Sequence, residues 1–114
     1  MNKEEILKRK EEWIEKLKRE GKIGDPKEDH KRSLDALQSP TRRETIKFIG
    51  IGNKKSLEEI KEEFKLDSNQ AKFNLGTLER ALFIEKVEGD EAVYVLTPRG
   101  EAYVEGIEWG DEAF

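Results

Sequence analysis

Apolar residues recur at helical spacing along most of this chain, and the pattern predicts a mainly α-helical protein. Over residues 3–20 nearly every position is charged except one stripe, which is typical of a helix with a single buried face. The stripe consists of Ile6, Leu7, Trp13, Ile14 and Leu17. Two of its pairs are seven residues apart, a spacing found in helices that pack on another helix. Two alternatives stay open, in which the helix either covers the core of its own chain or pairs with a second copy.

Two shorter helices are predicted between residues 30 and 50. Two glycines and a proline within segment 21–29 favour a turn or linker there. The following helix has Leu34, Ala36 and Leu37 as its apolar positions. Ser39-Pro40 then predicts the start of the next helix, because serine caps helix N-termini and proline is favoured at the first helical position. This helix would end in the glycine-containing segment 50–53.

The segment 56–84 contains the strongest pattern, two amphipathic helices joined by a short polar turn. Ser56 followed by Glu59 is a capping box, and Asp67 followed by Gln70 is similar to one. In the second helix, predicted over residues 68–82, the apolar residues fall within roughly 60° of one another. These residues are Ala71, Leu75, Leu78 and Leu82, and the opposite face carries Asn69, Phe73, Gly76 and Arg80. Many small proteins present one helix to the major groove of DNA in this way.

The remaining predicted elements are a β-hairpin and a final helix. Residues 83–87 and 92–97 are rich in β-branched and aromatic side chains, and the segment between them favours a hairpin turn. Thr97-Pro98 then predicts the start of the last helix. Its apolar residues are Ala102, Tyr103, Ile107 and Trp109. We therefore divide the chain into an N-terminal helix (1–22), a central domain (30–104) and a C-terminal end (105–114).

Composition narrows the class of protein. The chain has 114 residues, of which 34% are hydrophobic and 42% are charged with both signs interleaved. Such a chain forms one domain with thin helical layers, and it can complete its core by pairing. The absence of cysteine excludes disulfides and thiolate metal sites. No stretch approaches the length of a membrane span and the start lacks a secretory pattern, so we expect a cytoplasmic protein that does not bind membranes.

The charge is unevenly distributed. Basic residues slightly exceed acidic residues over 1–83, whereas residues 84–114 contain 2 basic and 9 acidic residues, a net charge of −7. The front and middle of the chain could therefore approach a polyanion, and the C-terminal third would be repelled by one.

Neither a metal site nor a catalytic site is indicated. His30 is the single histidine, close in sequence to Asp25, Glu28 and Asp29, whereas zinc sites usually need several nitrogen or sulfur ligands. No nucleophile–base pair and no phosphate-binding glycine loop is present. We expect a non-enzyme without a metal or another cofactor.

The order of elements and several local strings resemble the winged helix-turn-helix repressors of the ArsR-like superfamily, particularly its archaeal members. LDALQSPTRRETIKFI (34–49) is similar to the family's opening helices, with matches from Pro40 to Arg43. The segment 56–85 looks like its two-helix unit, with Leu82 where the family usually has glycine. VYVLTPRGEAY (93–103) resembles its second wing strand and the start of the final helix. The resemblance covers about residues 34–104. It implies a mainly α fold with a small β-hairpin and extra N-terminal and C-terminal helices.

The resemblance also implies a set of DNA-contacting residues. Positions of the second helix that touch DNA in the family are filled by Ser68, Asn69, Gln70, Lys72 and Phe73. Asparagine and glutamine can pair with adenine, and an exposed phenylalanine can pack on a thymine methyl group or on a sugar. Candidates for phosphate contacts are Arg42, Arg43, Lys54, Lys55 and Lys72. The two arginines have an alternative role, since arginine at a helix start is a common partner for structural acids.

The predicted second helix of the two-helix unit contains a glycine. Gly76 lies inside a helix, where glycine costs up to about 1 kcal/mol relative to alanine. Either another group must approach the backbone there, or the glycine is simply tolerated.

The wing departs from the family, whose DNA-binding wings generally carry basic residues at the tip. Here the hairpin contains Glu85, Lys86, Glu88, Asp90 and Glu91, so phosphate would repel it.

In this superfamily the first and last helices commonly form a two-fold dimer. The resemblance therefore assigns an interface to Ile6, Trp13, Ile14, Leu17, Tyr103, Ile107 and Trp109. The alternative is that both ends of one chain pack on its own core.

These observations predict a homodimeric, DNA-binding transcriptional regulator that places helix 68–82 in the major groove of double-stranded DNA. The alternative is a winged-helix protein-interaction module whose acidic wing and C-terminal helix dock on a basic protein partner.

Overall fold

A computed structural model describes residues 2–89 and 91–107 of the chain. The elements in chain order are α1 (Lys3–Arg19), α2 (Pro26–Ala36), α3 (Pro40–Ile49), β1 (Lys55–Ser56), α4 (Leu57–Phe64), α5 (Ser68–Arg80), β2 (Ile84–Val87), β3 (Val93–Leu96) and α6 (Pro98–Glu105). The predicted architecture, mainly α with one β-hairpin, is confirmed.

Side-chain caps start the central helices where the local sequence predicts them. The Ser39 hydroxyl accepts a hydrogen bond from the backbone N–H of Arg42 at the start of α3. Complete capping boxes open α4 at Ser56 and α5 at Asp67, each with its reciprocal pair of hydrogen bonds. These caps satisfy helix N–H groups that have no partner inside the helix.

Three helix boundaries differ from the predicted ones. α2 begins at Pro26 with Asp25 as its N-cap, so the expected turn at 21–29 is shorter. The cause is the same cap-and-proline signal that starts α3. α5 ends at Arg80 rather than at residue 82. α6 ends at Glu105, so Ile107 follows the helix, and Trp109 lies outside the described residues.

The hairpin belongs to a three-stranded antiparallel sheet. β2 pairs with β3 from Ile84 opposite Leu96 to Val87 opposite Val93. β1 pairs with the other edge of β3, where Lys55 lies opposite Tyr94. A strand of two residues has no periodic pattern, so the sequence did not predict it. Its pairing joins the segment before α4 to the hairpin.

The main core lies between α3, α4, α5 and the sheet. Leu75 and Leu78 of the predicted α5 stripe belong to this core, and both are at most 1% exposed. Ala71 of the same stripe is also buried. Around Leu75 and Leu78 pack buried apolar residues from the neighbouring elements: Ile46, Ile49, Ile60, Phe83, Ile84, Tyr94 and Leu96. Full burial of one such aliphatic side chain contributes about 1.5–3 kcal/mol, so this cluster holds α5 against the sheet.

α1 packs along α6 and buries its stripe within its own chain. Ile6 is fully buried, and Trp13, Ile14 and Leu17 form a second cluster with Ile23 and Leu82. Of the two alternatives for this stripe, the structure shows coverage of the chain's own core.

The start of α6 lies against the corner between α5 and β2. A Cβ atom at Gly100 would lie 2.2 Å from the backbone oxygen of Phe83, so no other residue fits there. The Thr97 hydroxyl donates a hydrogen bond to the Leu82 carbonyl (2.6 Å), and its N–H donates to the Phe83 carbonyl (3.1 Å). Several positions of the family-like string VYVLTPRGEAY are therefore needed to build this corner.

Leu82 has a left-handed backbone with φ of 65° at the same corner. That conformation costs a residue with a side chain roughly 1–2 kcal/mol, which accounts for the glycine that is usual at this position in the ArsR-like sequences that the chain resembles. Here the Leu82 side chain packs against the Trp13 cluster of α1, and this contact offsets the cost.

A buried ion pair joins α6 to α2. The Arg99 guanidinium donates to both carboxylate oxygens of Asp29, at 3.1 and 2.7 Å, and to the Ala81 carbonyl at 2.9 Å. Arg99 is 4% exposed and Asp29 is 8% exposed. Loss of one partner from such a pair leaves a buried charge without its countercharge.

We expect Asp29→Asn to lower the free energy of unfolding by about 3 kcal/mol, because the Arg99 charge stays buried without this carboxylate. Chemical denaturation measures the difference. Glu28→Gln is the matched control on the same helix: the Glu28–Arg32 pair is 3.5 Å apart and exposed, so a loss below about 0.5 kcal/mol is expected. Equal losses in the two variants would contradict a structural role for the buried pair.

Candidate nucleic-acid interface

The outer face of α5 presents exposed apolar and polar side chains together. Because the Leu75 side of the helix is buried, Asn69, Phe73, Gly76 and Arg80 lie on the opposite side, within roughly 60° of one another. Phe73 is 64% exposed, more than any other large hydrophobic residue among those described. We name Asn69, Lys72, Phe73, Gly76 and Arg80 the α5 face.

Two of the five predicted contact residues on α5 are used inside the chain. The Ser68 hydroxyl is hydrogen-bonded to the Lys61 ammonium group of α4 (2.9 Å). The Gln70 amide oxygen accepts from the Asp67 N–H (3.0 Å) in the capping box. These bonds orient the start of α5, and they leave Gln70 only its amide NH₂ for a partner.

The other three predicted residues are exposed and available. Asn69 and Lys72 make no side-chain hydrogen bond or ion pair with any described residue, and Phe73 has most of its surface open. An amide, an ammonium group and an aromatic ring are thus presented together at the N-terminal half of α5. These groups can contact base edges, phosphates and thymine methyl groups.

Arg80 extends this surface. A Cβ atom at Gly76 would lie 3.2 Å from one guanidinium nitrogen of Arg80, so the guanidinium lies over the backbone at Gly76. The three atoms nearest to that Cβ position all belong to Arg80, so the space at the glycine is taken by this side chain and not by a neighbouring helix. Arg80 was absent from the predicted contacts, although helical periodicity already placed it on this face.

Arg42 and Arg43 donate to the end of α2. Arg42 donates from Nε to the Ala36 carbonyl (2.7 Å) and from a terminal nitrogen to the Asp35 carbonyl (3.1 Å). Arg43 donates to the Leu37 carbonyl (2.6 Å). Cations that donate to helix C-terminal carbonyls stabilise the helix end. These contacts favour the structural role of the pair, with helix carbonyls rather than acids as the partners.

Arg42 also reaches α5. Its remaining terminal nitrogen donates to the side-chain oxygen of Asn74 (3.2 Å), on the flank of α5 next to Phe73. One guanidinium therefore links the end of α2 to the helix that carries the α5 face.

The two lysines before α4 have different surroundings. Lys54 is exposed in the loop that precedes β1. Lys55 is half-buried, and its ammonium nitrogen lies 5.0 Å from the centre of the Phe48 ring, a cation–π geometry. Lys54 thus remains the more accessible candidate for a phosphate contact.

The hairpin is acidic on its exposed side. Glu85, Glu88 and Glu91 are exposed, with Lys86 as the single exposed cation among the described hairpin residues, and Asp90 lies outside the described part. Burial, and then the Glu79 carboxylate, raise the pKa of the Tyr94 phenol, so this ring stays neutral in β3. The described hairpin offers little attraction for phosphate.

The predicted dimer residues are mostly occupied within one chain. Ile6, Trp13, Ile14 and Leu17 are buried against the chain's own body. Tyr103 is half-buried and packs edge-on against Phe83 with ring centres 6.2 Å apart. Ile107 is half-buried.

Over residues 2–89 and 91–107, no group of three or more histidine, aspartate or glutamate residues is arranged to hold a metal ion. Within the same ranges no helix has the length and apolar content needed to cross a membrane.

The sequence of the chain is similar to that of a protein from an archaeal genome. No family model matches the chain. An uncharacterized protein from Archaeoglobus fulgidus is 40% identical over 63 residues, which make up 55% of this chain and 71% of that protein. This chain belongs to the same family as that protein.

Reduced HlyU from Vibrio cholerae N16961 shares the fold, with a TM-score of 0.59 and 18% sequence identity, over 69% of this chain and 84% of that chain. The predicted fold class, a winged helix-turn-helix with additional helices, is therefore confirmed. Assignment to the ArsR-like superfamily in particular stays a prediction.

We expect Arg42→Ala to lower the free energy of unfolding by about 1–3 kcal/mol, because it removes three hydrogen bonds that join α2, α3 and α5. Denaturation measures the loss, and amide hydrogen exchange locates it. Exchange should quicken around Asn74. Lys47→Ala is the control on the same helix, since its 3.5 Å pair with Glu44 is exposed. An Arg42 variant as stable as the Lys47 variant would contradict this role.

Proposed function

We propose that this protein is a transcriptional regulator that binds double-stranded DNA as a homodimer, with α5 in the major groove of each half-site. The α5 face is the observation that carries the proposal. A phenylalanine that is 64% exposed, beside an available amide and two cations, is a surface suited to a partner with apolar, polar and anionic groups. The major groove of DNA offers all three.

Rigid attachment of α5 supports the proposal, because base recognition needs side chains at set positions. The Leu75–Leu78 side is packed in the main core, and the capping box orders the N-terminus. Lys61 links α4 to the first residue of α5. α4 would thus brace α5 across the backbone, as the first helix does in helix-turn-helix proteins.

Comparison with a solved structure supports the fold that this proposal requires. Reduced HlyU from Vibrio cholerae N16961 shares the winged-helix fold with this chain. At 18% identity the likeness concerns the fold, so the DNA contacts are argued from this chain's own residues.

Charge limits how the protein would approach DNA. α5 carries the exposed cations Lys72 and Arg80, and Lys65 is exposed in the turn before it. Lys54 is exposed in the loop before β1, whereas the exposed side of the hairpin is acidic. Phosphate contacts would therefore come from α5 and the loop before β1. The hairpin would stay off the duplex, so affinity depends on two copies binding together.

A second copy fits the outer side of α1. A groove of about 700 Å³ there is lined by Leu7, Lys10, Glu11, Glu12, Ile14, Glu15 and Lys18. Leu7 is half-buried and supplies apolar surface to this groove, whereas Ile14 is 7% exposed.

A second candidate is a protein-interaction module that binds a basic partner. The exposed Glu85, Glu88 and Glu91 of the hairpin are the observation that favours it. Retention on an immobilised lysine-rich peptide, lost in a variant with these three residues changed to glutamine, would support it over DNA binding.

We expect Lys72→Ala to weaken binding to duplexes selected from the source genome by several-fold. It should reduce the slope of log affinity against log salt by about 2, because each of the two copies loses one phosphate contact. Mobility-shift titration at three salt concentrations measures both. Lys86→Ala in the hairpin removes the same charge away from α5, and its affinity should equal that of the natural protein. Unchanged binding by the Lys72 variant would contradict contact through the α5 face.

We expect the natural protein to have about twice the 13.3 kDa chain mass in solution, and Leu7→Asp to be a folded monomer, since a charge in the α1 groove opposes pairing. Light scattering gives the mass and circular dichroism checks the fold. Leu34→Asp, at a residue 49% exposed on α2, is the control and should stay dimeric. A dimeric Leu7 variant, or a monomeric natural protein, would contradict this interface.

A further inference from the structure

We propose that the α5 face selects A·T base pairs, with the Asn69 amide on an adenine and the Phe73 ring on the methyl group of a thymine nearby. This assignment rests on the proposed DNA-binding function and specifies what the same surface recognises.

Five side chains on α5 carry an amide or a hydroxyl group, and four of them make a hydrogen bond within the chain. Ser68 is bonded to Lys61, and Gln70 accepts within the capping box. The Asn74 oxygen accepts from Arg42, and the Thr77 hydroxyl donates to the Phe73 carbonyl (2.9 Å). Asn69 has no such bond with a described residue, so both its donor and its acceptor can face a base.

The chemistry of an amide favours adenine. Adenine presents an acceptor (N7) next to a donor (N6 amino group) in the major groove, which matches the donor and acceptor of Asn69. Guanine presents two acceptors, and its pairing therefore suits a side chain with two donors, such as arginine. Asn69 thus discriminates between the two purines.

The surroundings of Phe73 favour thymine. Gly76, one turn further along the helix, adds no side chain, and the Thr77 hydroxyl is turned to the backbone. The Phe73 ring is therefore the apolar group on a face that otherwise presents an amide and two cations. The thymine methyl is the apolar group of the major-groove edges, whereas cytosine presents a polar amino group.

The spacing of the two residues sets the spacing of the two contacts. Asn69 and Phe73 are four residues apart, which is about 6 Å along a helix. Successive bases on one strand are about 3.4 Å apart, so the adenine and thymine lie within about two base-pair steps.

Base analogues test each contact separately. Duplexes that bind the natural protein are first selected, and thymine is then replaced at single positions by uracil, which lacks only the methyl group. We expect one position per half-site where uracil weakens binding about 4-fold, as for loss of one buried methyl group. Phe73→Ala should bind the thymine and uracil duplexes equally, and Phe73→Leu should retain part of the difference.

The Asn69 contact is tested with 7-deazaadenine, which replaces the N7 acceptor by C–H. We expect one adenine per half-site where this change weakens binding by the natural protein about 10-fold, the low end for a bidentate pair. Asn69→Ala should bind both duplexes equally. Lys72→Ala is the control, since loss of a phosphate contact lowers affinity without changing either analogue effect.

The outcomes separate this inference from the proposed function. Salt-dependent DNA binding with no analogue-sensitive position, or with sensitivity that persists in the Phe73 and Asn69 variants, overturns the base assignment and leaves DNA binding intact. Absence of binding to any duplex overturns both. All three substituted residues are exposed, so thermal unfolding should show that the variants remain folded.

Discussion

The close approach of α6 to the corner between α5 and β2 is the contact on which the rest of the structure depends. Gly100 leaves room for the Phe83 carbonyl oxygen, because a Cβ atom at this position would lie only 2.2 Å from that oxygen. Thr97 then closes the corner with its hydrogen bond to Leu82, and Arg99 adds one to Ala81. The first turn of α6 also makes two ion pairs with other helices. Arg99 pairs with Asp29 of α2, and Glu101 pairs with Arg9 of α1. One tight contact thus sets where α1, α2 and the hairpin lie relative to α5.

The α5 face follows from this arrangement. With the apolar side of α5 buried, its polar side must face outward, and Arg42 and Lys61 link its flanks to α2 and α4. Bonds inside the chain engage Ser68, Gln70, Asn74 and Thr77, which leaves Asn69, Lys72, Phe73 and Arg80 for a partner. The same scaffold that stabilises the fold therefore also decides which side chains are available for recognition.

Signals between neighbouring residues in the sequence predicted most helices and the hairpin. The features that the sequence did not predict depend on contacts between residues far apart in the chain. Caps such as Ser56–Glu59 and Asp67–Gln70 involve residues three apart, so their spacing is visible in the sequence. The strand β1 depends on Tyr94, far along the chain, and Arg99 meets Asp29 across 70 positions. Sequence likewise could not show that helix carbonyls engage Arg42 while Asn69 stays available. Periodicity did place Arg80 on the outer face of α5, where the structure also has it.

The central claim is that the α5 face, and not the acidic hairpin, meets DNA. The most direct test is a titration of the isotopically labelled protein with a selected duplex, followed by backbone amide NMR. The account predicts the largest shifts at Asn69, Lys72, Phe73 and Gly76, smaller ones at Lys54, and none at the exposed glutamates of the hairpin. Shifts confined to Glu85, Glu88 and Glu91, or no shift at any amide, would contradict it.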